Sequence, residues 1–169
     1  MTKRLLLPLT IVFAAGTLLA ASPHYKPRRE VTCAPSSSSV TGSSFSGTCT
    51  TGEAAGLGNE DLTFGVIASA SAGTFCHNHG NPALIVPGQN PANAQFASLQ
   101  TIPGTDIKNG TVKLPATSFS FSLSAPGPEV AGCPNDQNWT VTLGPVQWSA
   151  QYVVYQPFPT VVDSLSFSF

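Results

Sequence analysis

The chain predicts an all-β fold: a two-sheet antiparallel β-sandwich, immunoglobulin-like in general architecture, with seven to eight strands. Three observations carry this. Apolar residues recur at every second position in several stretches. No stretch sustains a helical period. Clusters of Gly, Pro and Asn separate the alternating runs. A closed barrel is the competing arrangement. At 169 residues there is room for one such domain with its own core, not two.

The first elements are processing signals. Lys3 and Arg4 precede an apolar run from Leu5 to Ala21 that ends in small residues, the pattern of a secretory signal peptide over residues 1–21. Read instead as a retained anchor, the run sits at the short limit of the about 17–25 residues that span a bilayer. Residues 22–39 are a Pro/Ser-rich leader or pro-segment. Arg28–Arg29 within it is either a dibasic cleavage site, which starts the mature chain near Glu30, or part of a basic linker. Residues 30–39 read as a loosely held lead-in, with Ser36–Ser39 as O-glycan acceptors. Residues 40–169 form the sandwich domain.

Within that domain, 40–51 is weakly strand-like and Glu53–Glu60 is a Gly/Ala-rich turn. Leu62, Phe64, Val66, Ala68, Ala70 and Ala72 then alternate with small and polar residues, as a half-buried strand requires. The small residues from Ala68 to Gly73 leave room for close backbone approach. Cys76 to Asn90 is the densest run of turn formers. Ala94–Ile102 is a strand, and Lys108-Asn109-Gly110-Thr111 is a type I′ hairpin signal. Phe119, Phe121, Leu123 and Ala125 alternate with serines until Pro126-Gly127-Pro128. Trp139, Val141 and Leu143 define the next strand. Val146, Trp148, Ala150, Tyr152 and Val154 continue an apolar face, and Val161, Leu165, Phe167 and Phe169 alternate to the last residue.

Charge removes whole classes of partner. Only 9% of residues are charged, against about 25% in ordinary globular domains. Without residues 1–21, five basic residues face eight acids, a net charge of −3; cutting after Arg29 leaves two against eight, or −6. Neither form offers a basic patch for phosphates, so nucleic acid is not an expected partner, nor is an anionic membrane after signal removal. An extracellular partner or a glycan is.

Four cysteines in a secreted chain predict two disulfides. Of the three connectivities, Cys33–Cys49 with Cys76–Cys133 closes two loops without interleaving. The loop-entropy model gives about 3 and about 4 kcal/mol for them. No Cys-x-x-Cys spacing suggests zinc.

Candidate sites are few. His77 and His79, two residues apart, point the same way on an extended segment, and Asp136 beside Cys133 could complete a metal site. A bridged Cys76 cannot ligate, and the mature chain has no Met for an axial position. His24 follows Pro23, which has no N–H to give an amino-terminal copper site. The carboxylates Glu53, Glu60, Asp61, Asp106, Glu129, Asp136 and Asp163 are scattered and read as solvated turn acids, where a glycosidase needs two at a set separation. No nucleophile elbow or Walker loop occurs. Trp139, Trp148 and Tyr152 lie on alternating apolar faces and read as core; Tyr155 and Phe158, flanked by Pro157 and Pro159, read as exposed rings able to bind polysaccharide. Asn109 and Asn138 head Asn-x-Thr glycosylation acceptors.

Cys76-x-Asn78-x-Gly80-Asn81, Pro87-Gly88-Gln89-Asn90, Lys108-Asn109-Gly110 and Cys133-Pro134-Asn135 with Trp139-Thr140 together resemble a group of small secreted β-rich proteins of unassigned function, over roughly residues 56–143. His79 stands where the group's pattern has Gly. The resemblance implies the Cys76–Cys133 bridge and a sandwich, and no activity. The sequence therefore reads as a secreted, disulfide-stapled, non-catalytic binding or effector-like protein without a cofactor. The alternatives are a polysaccharide-binding module using Tyr155 and Phe158, or a metal-dependent enzyme using His77, His79 and Asp136.

Overall fold

The structure, a computed structural model, describes residues 24–25, 30–36, 43–134 and 138–166. The signal peptide predicted over residues 1–21, the Arg28–Arg29 pair, Asp136 and the C-terminal Phe167 and Phe169 lie outside those residues. Among the described residues the fold is all-β, built from several antiparallel sheets.

The strands are β1 (His24–Tyr25), β2 (Cys33–Pro35), β3 (Ser44–Cys49), β4 (Gly52–Ala55), β5 (Leu62–Ala72), β6 (Thr74–Asn78), β7 (Ile85–Pro87), β8 (Ala92–Ile102), β9 (Thr111–Leu114), β10 (Thr117–Ser122), β11 (Trp139–Leu143), β12 (Gln147–Tyr155) and β13 (Val161–Ser166). Eight of them (β3, β5, β6, β8, β10, β11, β12 and β13) have five residues or more. The largest sheet runs β13-β12-β5-β8; three-stranded sheets run β10-β3-β2, β11-β6-β7 and β1-β4-β9.

Two of these sheets contribute side chains to one shared core, an arrangement that fits a β-sandwich. The alternation of β5 sends Leu62, Phe64, Val66 and Ala68 inward, and β12 adds Ala150, Tyr152 and Val154. They meet Phe45 of β3 and Phe119 and Phe121 of β10. Rings cross the gap: Phe45 stacks on Trp148 at 5.3 Å, and Phe96 of β8 on Phe121 at 5.3 Å. Each fully buried large side chain here contributes about 1.5–3 kcal/mol of apolar transfer.

Both disulfides form as the non-interleaved pairing requires. Cys33 lies directly opposite Cys49 across the β2–β3 ladder. Cys76, fully buried on β6, joins Cys133 beyond a short helix, α1 (Pro128–Ala131). The hairpin forms too: Lys108 and Thr111 exchange both backbone hydrogen bonds, and Asn109 and Gly110 adopt φ of 52° and 67°, as a type I′ turn demands.

Several expectations are corrected. Residues 31–35 are not loose: Val31 is 2% exposed and Cys33–Pro35 pairs with β3, held there by its disulfide. Glu53–Glu60 is not wholly turn. Gly52–Ala55 is a buried strand between β1 and β9, because small residues let neighbouring backbones close over it. Glu53 is consequently 9% exposed rather than a solvated acid. Close approach falls at Gly65 instead of Ala68–Gly73: its φ is +147°, and a Cβ there would collide with the Ser98 carbonyl. In β13 the inward residues are Val162 and Leu165, with Val161 55% exposed, because the register shifts opposite Val154/Tyr155.

Candidate functional site

The run from Cys76 to Asn90 is an ordered, internally braced loop. Asn78 Oδ1 accepts from the backbone N–H groups of Gly80 and Asn81 at 2.9 and 3.0 Å. Thr74 Oγ1 donates to the Asn90 carbonyl at 2.7 Å, and Asn90 Nδ2 donates to the Val130 carbonyl at 2.9 Å. A Cβ on Gly88 would strike the Thr74 hydroxyl, so only glycine lets the loop close here. The loop's polar groups hold the loop itself, in the manner of structural Asx turns.

Among the described residues the two histidines do not converge with a third ligand, and Asp136, the third ligand the sequence offers, lies outside them. His77, half-buried on β6, has Nε2 at 2.7 Å from Thr142 Oγ1 on the paired strand β11. His79 is exposed, and its backbone N–H donates to the Asn138 carbonyl. Cys76 is in its disulfide. Among the described residues no three His, Cys, Asp or Glu side chains gather as a metal site.

Trp139 and Tyr152 are core, as expected. Tyr155 is not the exposed ring the sequence suggests. It is 9% exposed, and Phe158, 59% exposed, stands edge-on to it at 5.1 Å. A pair at 68° offers no coplanar platform for a sugar ring. Asn109 is exposed at its hairpin tip, and Asn138 is exposed although its neighbour Trp139 is buried.

Scarce charges do collect at one place. Lys108, Lys113, Glu53 and Asp106 line a depression of about 610 Å³ beside β9. Lys113 lies opposite Glu53 in the β4–β9 ladder, and Lys108 Nζ donates to the Thr105 carbonyl at 2.6 Å. Both signs are thus interleaved, and no single-signed field results.

The outer face of the four-stranded sheet is different in kind. Its registers bring Asn93, Ser71 and Gln147 into one row and Gln95, Ser69 and Ser149 into the next. Ala97, Ile67, Gln151 and Ser166 form a third. Small side chains on the central strand β5 make a floor, with Asn93 and Gln95 on one side and Gln147 and Gln151 on the other. Two depressions, of about 560 and 450 Å³, share Ser69, Gln95 and Ser149 and so form one trough along β5. No ionisable side chain lines either. Rows repeat about every 6.7 Å along the strands, and strands lie about 4.8 Å apart. No motif search could find this site, since its residues come from three distant stretches and each reads alone as a solvent face.

Gln156 shows what a structural amide looks like in the same molecule. Buried, it accepts from the Gly58 N–H at 2.8 Å and donates to the Gly58 and Glu60 carbonyls at 3.2 and 2.7 Å. The glutamines of the trough have no comparable anchoring among the described residues; Asn93 reaches only the Pro91 carbonyl, at 3.5 Å.

No protein-family model matches the chain, and no curated protein matches it in sequence. The resemblance to small secreted β-rich proteins rests on the quoted residues alone.

Proposed function

We propose that the protein is a secreted, immunoglobulin-like β-sandwich that acts by binding, without catalysing a reaction, and that the trough along β5 is its binding surface. The carrying observation is the uncharged row pattern of Asn93, Gln95, Gln147, Ser149 and Gln151 around Ser69 and Ser71. Such a surface supplies donors and acceptors for recognition and no group suited to proton transfer near neutral pH. Two disulfides in a small all-β body favour an oxidising compartment, and no helix among the described residues is long and apolar enough to cross a membrane. The sandwich assignment draws support from the ring contacts that join β3 and β10 to β8 and β12.

The test is an immobilised array of glycans, peptides and lipid vesicles, probed with the wild type and with Ser69→Arg. The reading expects one class to be retained by the wild type, released at least tenfold faster from the variant, and recovered chemically unchanged. A ligand recovered altered, or held equally by both proteins, would overturn it.

A further inference from the structure

Resting on that reading, we infer that the trough takes a neutral, linear polysaccharide lying along β5. The floor and walls together match the two-sided chemistry of a pyranose chain. Each sugar ring has a rim of hydroxyls and faces of C–H groups. Ile67, Ala97 and the methylene stems of the glutamines supply apolar contact for the faces. The amides of Gln95, Gln147 and Gln151, with the hydroxyls of Ser69, Ser71 and Ser149, both donate and accept, as the rim does.

Charge decides among ligand classes. An acidic polymer entering the trough would lose hydration with no lysine or arginine to compensate, because neither depression is lined by one. A protein partner is expected to anchor through buried aromatic or arginine hot spots in apolar pockets. The trough's exposed side chains are amides, hydroxyls and alanine, so it lacks the pocket such an anchor fills. A neutral polyol exchanges water hydrogen bonds for amide ones at little net cost. The joined depressions span the three rows from Gln147 to Gln151, about 13 Å along the strand, so a polymer fills them better than a single sugar.

The experiment is affinity electrophoresis in native gels cast with a neutral glucan, a neutral mannan or acidic polygalacturonate. Wild type is run beside Gln95→Ala/Gln151→Ala, Ser69→Arg and, as control, Phe158→Ala. The expected result is retardation by a neutral polymer that persists in high salt, since no ion pair is screened. Both trough variants should lose it at least tenfold, and Phe158→Ala should keep it. Retardation only by polygalacturonate overturns the neutral ligand while leaving a binding trough. Retardation lost in Phe158→Ala and kept in the trough variants moves the site to the ring pair and overturns both readings. No retardation in any gel, with a peptide or lipid hit sensitive to Ser69→Arg on the array, overturns the polysaccharide alone; with no such hit, the binding reading falls too.

Discussion

Strands β5 and β12 present two faces made by one alternation, and the two could hardly differ more. The inner face carries Phe64, Val66, Tyr152 and Val154, each at most 1% exposed. The outer face carries Ser69, Ser71, Gln147 and Ser149, all exposed. Residues adjacent in the chain therefore answer to different constraints. Inner positions are fixed by volume and packing density; outer ones are free of both and can be specified by what they recognise. Stability and binding should separate by parity over Ile67–Ala72 and Gln147–Gln151; beyond them Gly65, Val153 and Tyr155 are buried on the outer parity as well.

The strongest attempt to break that separation starts inside. Phe64→Ala should cost about 3–5 kcal/mol, from lost transfer energy plus a cavity, read as a shift in the urea midpoint. Opening the Cys76–Cys133 bridge by a Cys76→Ser/Cys133→Ser change should cost about 4 kcal/mol on the loop-entropy model, and differential calorimetry under matched conditions measures it. A much smaller loss would mean that the hydrogen bonds joining Asn90 to Val130 and Ala131 already hold the segment.

Gly65→Ala tests the line between the faces. It places a Cβ at a left-handed φ against the Ser98 carbonyl, and the backbone strain alone should cost about 1–3 kcal/mol, visible by chemical denaturation. Tyr152→Phe should do little at neutral pH, or stabilise by up to about 1 kcal/mol. The Tyr152 hydroxyl is buried with no hydrogen-bond partner among the described residues, so nothing is lost with it. Burial also pushes the Tyr152 phenol well above its usual range. The unfolded phenol ionises near pH 10, the folded one later. Tyr152 therefore leaves stability unchanged below about pH 10 and erodes it as pH rises further. An alkaline titration of stability should show that slope in the wild type and a weaker one in the variant. Smallest of all, Gln95→Ala/Gln151→Ala should change stability by no more than about 0.5 kcal/mol, read from the thermal unfolding curve. A larger shift would show that the outer face is structural after all.

Sequence made the inner face readable because packing imposes a period of two, which Leu62 to Ala72 and Phe119 to Leu123 display openly. The Asn109-Gly110 hairpin was legible for a local reason, since few residues accept positive φ at both central positions. β4 was hidden because Gly52, Ala54 and Ala55 have no strand preference of their own; β9 and β1 recruit them by pairing. Tyr155 misled because its flanking prolines suggest a loop, whereas β12 is buried without a break from Tyr152 to Tyr155. The trough was invisible because Ser69, Gln95 and Ser149 meet only through strand register, which no local pattern encodes.

The Cys76–Cys133 bridge has a topological consequence. It closes a ring of chain that contains β8, β9 and β10, while β5, β12 and β13 lie outside it. One wall of the trough thus belongs to a covalent circle and the other to an open tail. A single peptide-bond scission anywhere in that circle, for example at the exposed Asn109 tip, leaves one molecule with every strand still tethered. The same scission between Glu60 and Ser71 divides it into two. A nick on the β8 side therefore leaves the molecule in one covalent piece, whereas one along β5 would leave two pieces held only by pairing and packing.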